Sequence, residues 1–425
     1  MDDVESLINA LASNDEQVIN NAYRVLQESW ETFVDKLIAG LQSPNLEIRR
    51  AVTNILCSRT EPRAADAFLN ALKDEDAAVK VNAMFGLGKL KDKRAIDPIK
   101  HILWHDSNYI VRSSAAHMLG MIGNPIIFED LVAALQDPYP AVHYGAIDGL
   151  GYLGDKRALP YLITALKDDD SVLRFSAATA LGELGDTDAV EPLIEALRVS
   201  GDKSRIHMAG SLGKLNDSRA VEPLILALRT GDHFLRLGAA LALAKLKDPR
   251  ATRHLLAVLE SDEYFDVRLN TIYALEAIGD PMVKEPILGA MQTDSDPMVR
   301  WVAAECLGRS FKDPKITDAL IAMLGDPHPV VHNVVISALG NTGDPRAIEP
   351  LINILESPDV DADKSTDRCS AALSLGKLGG DTAIDALIAA LSDESADVRT
   401  AASKALEKSD DPRAKKALRD YQAGI

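Results

Sequence analysis

LRFSAATALGELG (173–185) reads as one amphipathic helix closed by a glycine, and VRSSAAHMLGMIG (111–123) and VRWVAAECLGRSF (299–311) repeat it. An Arg, or a stand-in, opens each such run: Arg49, Lys80, Arg112, His143, Arg174, Arg205, Arg236, Arg268, Arg300, His332, Arg368 and Arg399. Successive steps are 31, 32, 31, 31, 31, 31, 32, 32, 32, 36 and 31 residues. A period of this size marks stacked two-helix units, because one hairpin cannot bury its own apolar face and needs neighbours to cover it. The expected fold is therefore all-α, an α-solenoid of 12 to 13 two-helix repeats. Its expected layout is one array over residues 1–425, with a degenerate N-terminal capping repeat at 1–47 and regular repeats over 48–411. A C-terminal capping helix is expected at 412–425.

One period, DKRALPYLITALKDDDSVLRFSAATALGELG (155–185), shows how the unit builds itself. Asp155 is an N-cap candidate for a short first helix, and Pro160 falls near the helix start, where a missing N–H costs least. KDDDS is a polar break, after which a second helix is expected from about Val172 to Leu184 with Gly185 just past its end. With the residue before the Arg column numbered 1, positions 1, 5, 8, 9 and 12 of the second helix share one arc of the helical wheel and form the expected buried face. The Arg column alternates with an Asp column, Asp92, Asp155, Asp186, Asp217, Asp248, Asp280, Asp313, Asp344, Asp381 and Asp411. A residue type present in every unit reads as a structural ladder, each Arg bridging to an inter-helix Asp or carbonyl in its own or the next repeat.

The pattern V-R-x-x-A-A-x-A-L-G-x-L-G-D-x-R-A-x-x-P-L, carried by 173–197 and 237–259, resembles the HEAT-like repeats named after phycobilisome lyases, the E/F-type bilin lyases. The resemblance covers roughly residues 45–425. It implies a helical-repeat fold and, as one functional consequence, the handling of a linear tetrapyrrole destined for a phycobiliprotein cysteine. The acidic insertion SPDVDADKSTD (357–367), which causes the step of 36, matches an insertion that such lyases carry. The N-H-C-Q motif of lyase-isomerases is absent, as are the His-Glu dipeptides by which the related repeat hydroxylase holds iron.

Other chemistry is sparse. Gly149, Gly151 and Gly154 spell G-x-G-x-x-G, but the run ends a repeat helix instead of following a strand and reads as a by-product of the repeat. His101/His105 and His328/His332 are spaced to share a helix face, lack further ligands nearby and read as surface histidines. The alternation of Asp359, Asp361, Asp363, Ser365 and Asp367 suggests a calcium loop, yet Lys364 and Ser370 stand where such a loop needs Gly and Glu, so a solvated acidic loop is expected. Cys57, Cys306 and Cys369 form neither a disulfide framework nor a zinc site. No catalytic residues and no metal site are assigned, and no resident cofactor is expected outside the tetrapyrrole reading.

The formal charge is −18, from 46 basic and 64 acidic residues, so a nucleic-acid partner is not expected. No apolar run long enough to span a membrane and no secretory leader is seen, and a cytoplasmic location is expected. Position 3 of the second helix, opposite the buried arc, reads Tyr144, Phe175, Ile206, Leu237, Leu269 and Trp301 over six consecutive repeats, and position 7 adds Leu241 and Tyr273. Either neighbouring helices cover these side chains, or they line a concave apolar groove over 144–301 for a protein partner. The function expected is a non-catalytic protein-binding scaffold, with bilin lyase activity as the alternative.

Overall fold

The computed structural model describes residues 4–199, 201, 203–358 and 362–423. Among them lie 27 α-helices, nine short 3-10 turns and no strand, so the fold is all-α and built of stacked two-helix repeats. The chain divides into two compact units, Met1–Asp217 and Ser218–Ile425. Within each, a second helix packs on the second helices of the repeats before and after it, and its own first helix closes the other side.

The hairpin at 155–185 shows the local logic. The Asp155 carboxylate accepts from the Arg157 N–H and opens a 3-10 turn, Lys156–Ala158. The α-helix Leu159–Ala165 follows, with Pro160 in its first turn. The first helix is thus in two pieces, a detail the apolar spacing did not reveal. Asp170 then caps the second helix, Ser171–Leu184, by accepting from the Val172 N–H, and Gly185 ends it at φ 69°, a left-handed conformation that glycine adopts without strain. The same plan runs to the last helix, Pro412–Ala423.

The buried arc is wider than positions 1, 5, 8, 9 and 12. Ala116, Ile147, Ala178 and Ala304, at position 6, are fully buried. Position 10 is buried where it holds Gly120, Gly151, Gly182, Gly308 and Gly340, and half-buried where it holds Gly376. Each faces position 8 of the following second helix. A Cβ on Gly120 would stand 2.2 Å from the Gly149 carbonyl oxygen, and one on Gly149 would stand 2.6 Å from that of Ala116. The G-x-G-x-x-G run therefore lets backbones touch across repeats, where any side chain would force them apart.

The Arg column is a ladder of the kind expected, each Arg reaching an inter-helix Asp of the next repeat or a carbonyl of its own, although the Asp column read beside it in the sequence does not supply the rungs. Its partners are the aspartates in the break between the two helices of the next repeat. Arg49 Nε donates to Asp74 at 2.7 Å, Arg112 to Asp137 at 2.8 Å, Arg236 to Asp262 at 2.7 Å, Arg268 to Asp294 at 2.8 Å and Arg300 to Asp326 at 2.8 Å. Lys80 reaches Asp106 and Arg368 reaches Asp393 in the same way. The second fork of each guanidinium binds its own repeat: Arg112 Nη1 donates to the Asp106 carbonyl at 2.9 Å, and Arg300 Nη1 to that of Asp294 at 2.9 Å. One planar cation thus ties two helix breaks together, a geometry that suits a guanidinium. The aspartates Asp92, Asp155, Asp248 and Asp344 instead cap 3-10 turns, Asp411 caps the last α-helix, and each pairs with the Arg two residues on, at the surface.

The insertion is a correction as well. Asp359 and Asp361 lie outside the described residues, but Ala362–Leu378 is a single helix. Ser365 and Asp367 stand on that helix, so this part of the insertion is helical where a solvated loop was expected.

Candidate partner-binding face

In the first unit, Tyr144, Phe175 and Ile206 stand on the successive second helices Pro140–Leu153, Ser171–Leu184 and Ser204–Leu215, which pack side by side. Tyr144 and Ile206 are half-buried, and Phe175 is 39 % exposed. The Tyr144 hydroxyl donates to the Asp170 carboxylate, the cap of the next second helix. That bond pushes the phenol up to about 12. Arg50 uses position 3 similarly, reaching the Asp76 cap at 2.6 Å. Tyr144 is therefore partly a structural tie. Phe175 is free of such a duty, and its ring meets the His207 ring edge-on at 4.0 Å. Burial holds the His207 imidazole below its ordinary value.

In the second unit, Leu237, Leu269 and Trp301 stand on His233–Leu246, Phe265–Ile278 and Pro297–Ser310, and all three are half-buried. Leu241 is 43 % exposed and Tyr273 half-buried. Burial, and then the Glu305 carboxylate, raise the Tyr273 phenol. None of the eight side chains is sealed from water. Each unit presents its own apolar patch on the second-helix face, three residues in the first and five in the second.

The first unit also holds a feature that the sequence reading missed. A cavity of about 360 Å³ opens on the second-helix face across Ala77–Leu90, Tyr109–Ile122 and Pro140–Leu153. Val81, Phe85 and Tyr144 wall it, and Asn82, Ser113, Ser114, His117 and Asp148 are its polar lining residues. His117 Nδ1 stands 3.7 Å from the Asp148 carboxylate. Burial pulls the imidazole down, and burial pushes the carboxyl up. The His117 ring also stacks on Tyr152 at 5.2 Å. His117 and Asp148 both occupy position 7, the column from which only apolar residues were picked out. Two polar residues in successive repeats of that column were the available signal.

The His101 and His105 rings share a face at 4.6 Å, as their spacing requires. The second pair is separated by role: His328 precedes the helix Pro329–Thr342, and His332 Nδ1 pairs with Asp367 at 2.8 Å. Among the described residues no three of His, Cys, Asp and Glu converge as metal ligands would. Cys57 and Cys306 are buried, and burial pushes the Cys57 thiol up to about 11 and the Cys306 thiol further, so neither is primed as a nucleophile. No helix among the described residues is long and apolar enough to cross a membrane.

Comparison with known proteins fits this architecture. The family model described as HEAT repeats matches residues 65–126, 128–206, 193–276, 252–310, 284–366 and 360–423. No curated protein matches the chain. Among solved structures, Kap95p in complex with RanGDP is similar over 99 % of this chain and 69 % of its own, at 14 % identity and a TM-score of 0.60. Importin beta is similar over 95 % and 71 %, at 13 % identity and a TM-score of 0.56. These two likenesses speak to the fold. The CpcE–CpcF phycocyanin lyase complex from Nostoc sp. PCC7120 aligns over 53 % of this chain and 91 % of its own, at 25 % identity and a TM-score of 0.34, too low to carry weight.

Proposed function

Because this chain belongs to the HEAT-repeat family, we propose that it is a non-catalytic scaffold that holds a protein partner against the second-helix faces of its units. The observation that carries this reading is the pair of accessible apolar patches, Tyr144, Phe175 and Ile206 in the first unit and Leu237, Leu241, Leu269, Tyr273 and Trp301 in the second. Before and after these repeats the same column is Arg50, Val81 and Ser113, then Asn333, Cys369 and Thr400, so the unbroken run of bulky apolar residues is confined to the middle repeats and is not a demand of the stack. Covering apolar surface contributes about 25 cal/mol per Å², and half-exposed Trp and Phe side chains are the residues best suited to anchor a partner. The excess of acidic residues steers a basic partner toward the chain. Solved relatives of this fold hold proteins, RanGDP in one case and Nup1 in another.

The test replaces Phe175, Leu237 and Trp301 with alanine and measures capture of partners from the native host beside the wild-type chain. Loss of the captured species with helicity intact supports the reading, and unchanged capture removes it.

The sequence pattern shared with the bilin lyase repeats supports a second reading. In it, Tyr273 and Trp301 stack on the rings of a linear tetrapyrrole and the substrate protein supplies the nucleophilic cysteine. A saturable red shift of a bilin mixed with the protein supports that reading, and an unaltered visible spectrum removes it.

A further inference from the structure

The second-helix face of the first unit contains a carboxylate without a permanent counter-charge. The aspartates of the ladder, which are more deeply buried, each hold a permanent cation: Asp74, Asp137, Asp262 and Asp294 pair with Arg49, Arg112, Arg236 and Arg268. Asp148 has the neutral Ser176 hydroxyl as a hydrogen-bond partner and, as its one titratable neighbour, His117 at 3.7 Å, beyond hydrogen-bond reach. Burial holds that imidazole in its neutral form near neutral pH and disfavours the Asp148 carboxylate. A cation delivered from outside would relieve the imbalance.

The walls select which cation. Phe85 and Tyr144 present aromatic surface to the cavity, with Val81 beside them, and Asn82 adds an amide. The Phe85 ring already accepts the Lys89 ammonium, 4.5 Å from its centroid, while that ammonium donates to the Ser58 carbonyl at 3.4 Å and is thereby committed. A guanidinium is planar, weakly hydrated and able to stack on such rings while forking onto a carboxylate, whereas an ammonium keeps its water more firmly. We propose that this cavity, between the second helices of three successive repeats and floored by His117 and Asp148, is a receptor pocket for an arginine side chain of the bound partner. It rests on the scaffold reading and adds to it one residue-specific contact. The pocket fixes the register of a basic segment along the first unit, and the apolar patch beyond it supplies contact area.

The test uses the full chain and a small probe. N-acetyl-L-arginine methylamide is titrated against the protein while the imidazole signals of His117, assigned through His117→Gln, are followed by NMR. N-acetyl-L-citrulline methylamide serves as the uncharged isostere. The arginine compound should shift the His117 signals saturably, with an affinity in the millimolar range expected of a single side chain. The citrulline compound should leave them in place, and Asp148→Asn, nearly isosteric and checked for fold by circular dichroism, should weaken arginine binding at least tenfold. Equal response to citrulline, undiminished binding by the Asp148→Asn protein, or no response to arginine would each overturn the pocket. None of these outcomes bears on the scaffold reading, whose test changes Phe175, Leu237 and Trp301 and leaves the pocket floor untouched.

Discussion

The rungs at Arg268 and Arg300 and the rung at His332 sit in consecutive repeats yet are built from different chemistry. At Arg268 and Arg300 a guanidinium meets an aspartate 26 residues on, and both side chains of each pair are largely buried. At His332 the same column has lost its permanent charge, and the positions 25 and 26 residues on are Ser357 and Pro358. The imidazole pairs instead with Asp367, on the helix that the insertion lengthens. The difference teaches how to read a repeat protein: what every unit shares holds the stack together, and the unit that departs from the rule has acquired a property of its own. Here the expected property is sensitivity to pH, because the cation of this rung is a titratable imidazole.

The largest effect should come from removing a regular rung. Arg300→Ala strands Asp326, whose side chain is 4 % exposed, and should cost about 3–5 kcal/mol, the range for breaking a buried pair from one side. Hydrogen exchange should quicken in Pro297–Ser310 and in Pro329–Thr342 beside it, and unchanged exchange would deny the ladder its role. Asp344→Ala comes next, at about 1 kcal/mol, because it deletes the cap of a 3-10 turn. Arg346→Ala, which touches the exposed end of the same turn, should leave the melting temperature unaltered.

The irregular rung should differ in kind. The Asp367 carboxylate, accepting the imidazole's hydrogen bond, raises His332 above its ordinary 6.5. The sign follows: protonation is favoured in the folded state, so the pair's contribution is complete below 6.5 and is lost as the pH rises through the higher folded value. His332→Arg should remove this dependence by fixing the charge. The readout is the difference between wild-type and variant stability along a pH series, which should grow as the pH climbs; a flat difference would show that the rung does not titrate.

Sequence alone reveals the period, the caps and the apolar column, because each is a local property repeated many times. The helix Ser171–Leu184 and its terminal Gly185 fall within a residue of their expected places. The partner of the Arg column is harder to read. Every repeat offers aspartates in two loops, and the distance that chooses between them is set by how far one hairpin is translated to reach the next. The position-10 glycines hide for the same reason, since the backbone they must clear belongs to another repeat. The acidic insertion misleads because alternating aspartates mimic a loop while the local chain has enough helix formers to extend the neighbouring helix. His117 and Asp148 come together only through stacking, 31 residues apart in sequence.

Site-specific photo-crosslinking in the native host tests the central claim most directly. A benzophenone amino acid is placed at Phe175 or Leu241, on the second-helix faces, or at Leu226, a first-helix position that is 52 % exposed. The account predicts discrete protein adducts from Phe175 and Leu241 and none from Leu226. Adducts from Leu226 alone, or equally from all three, would contradict it.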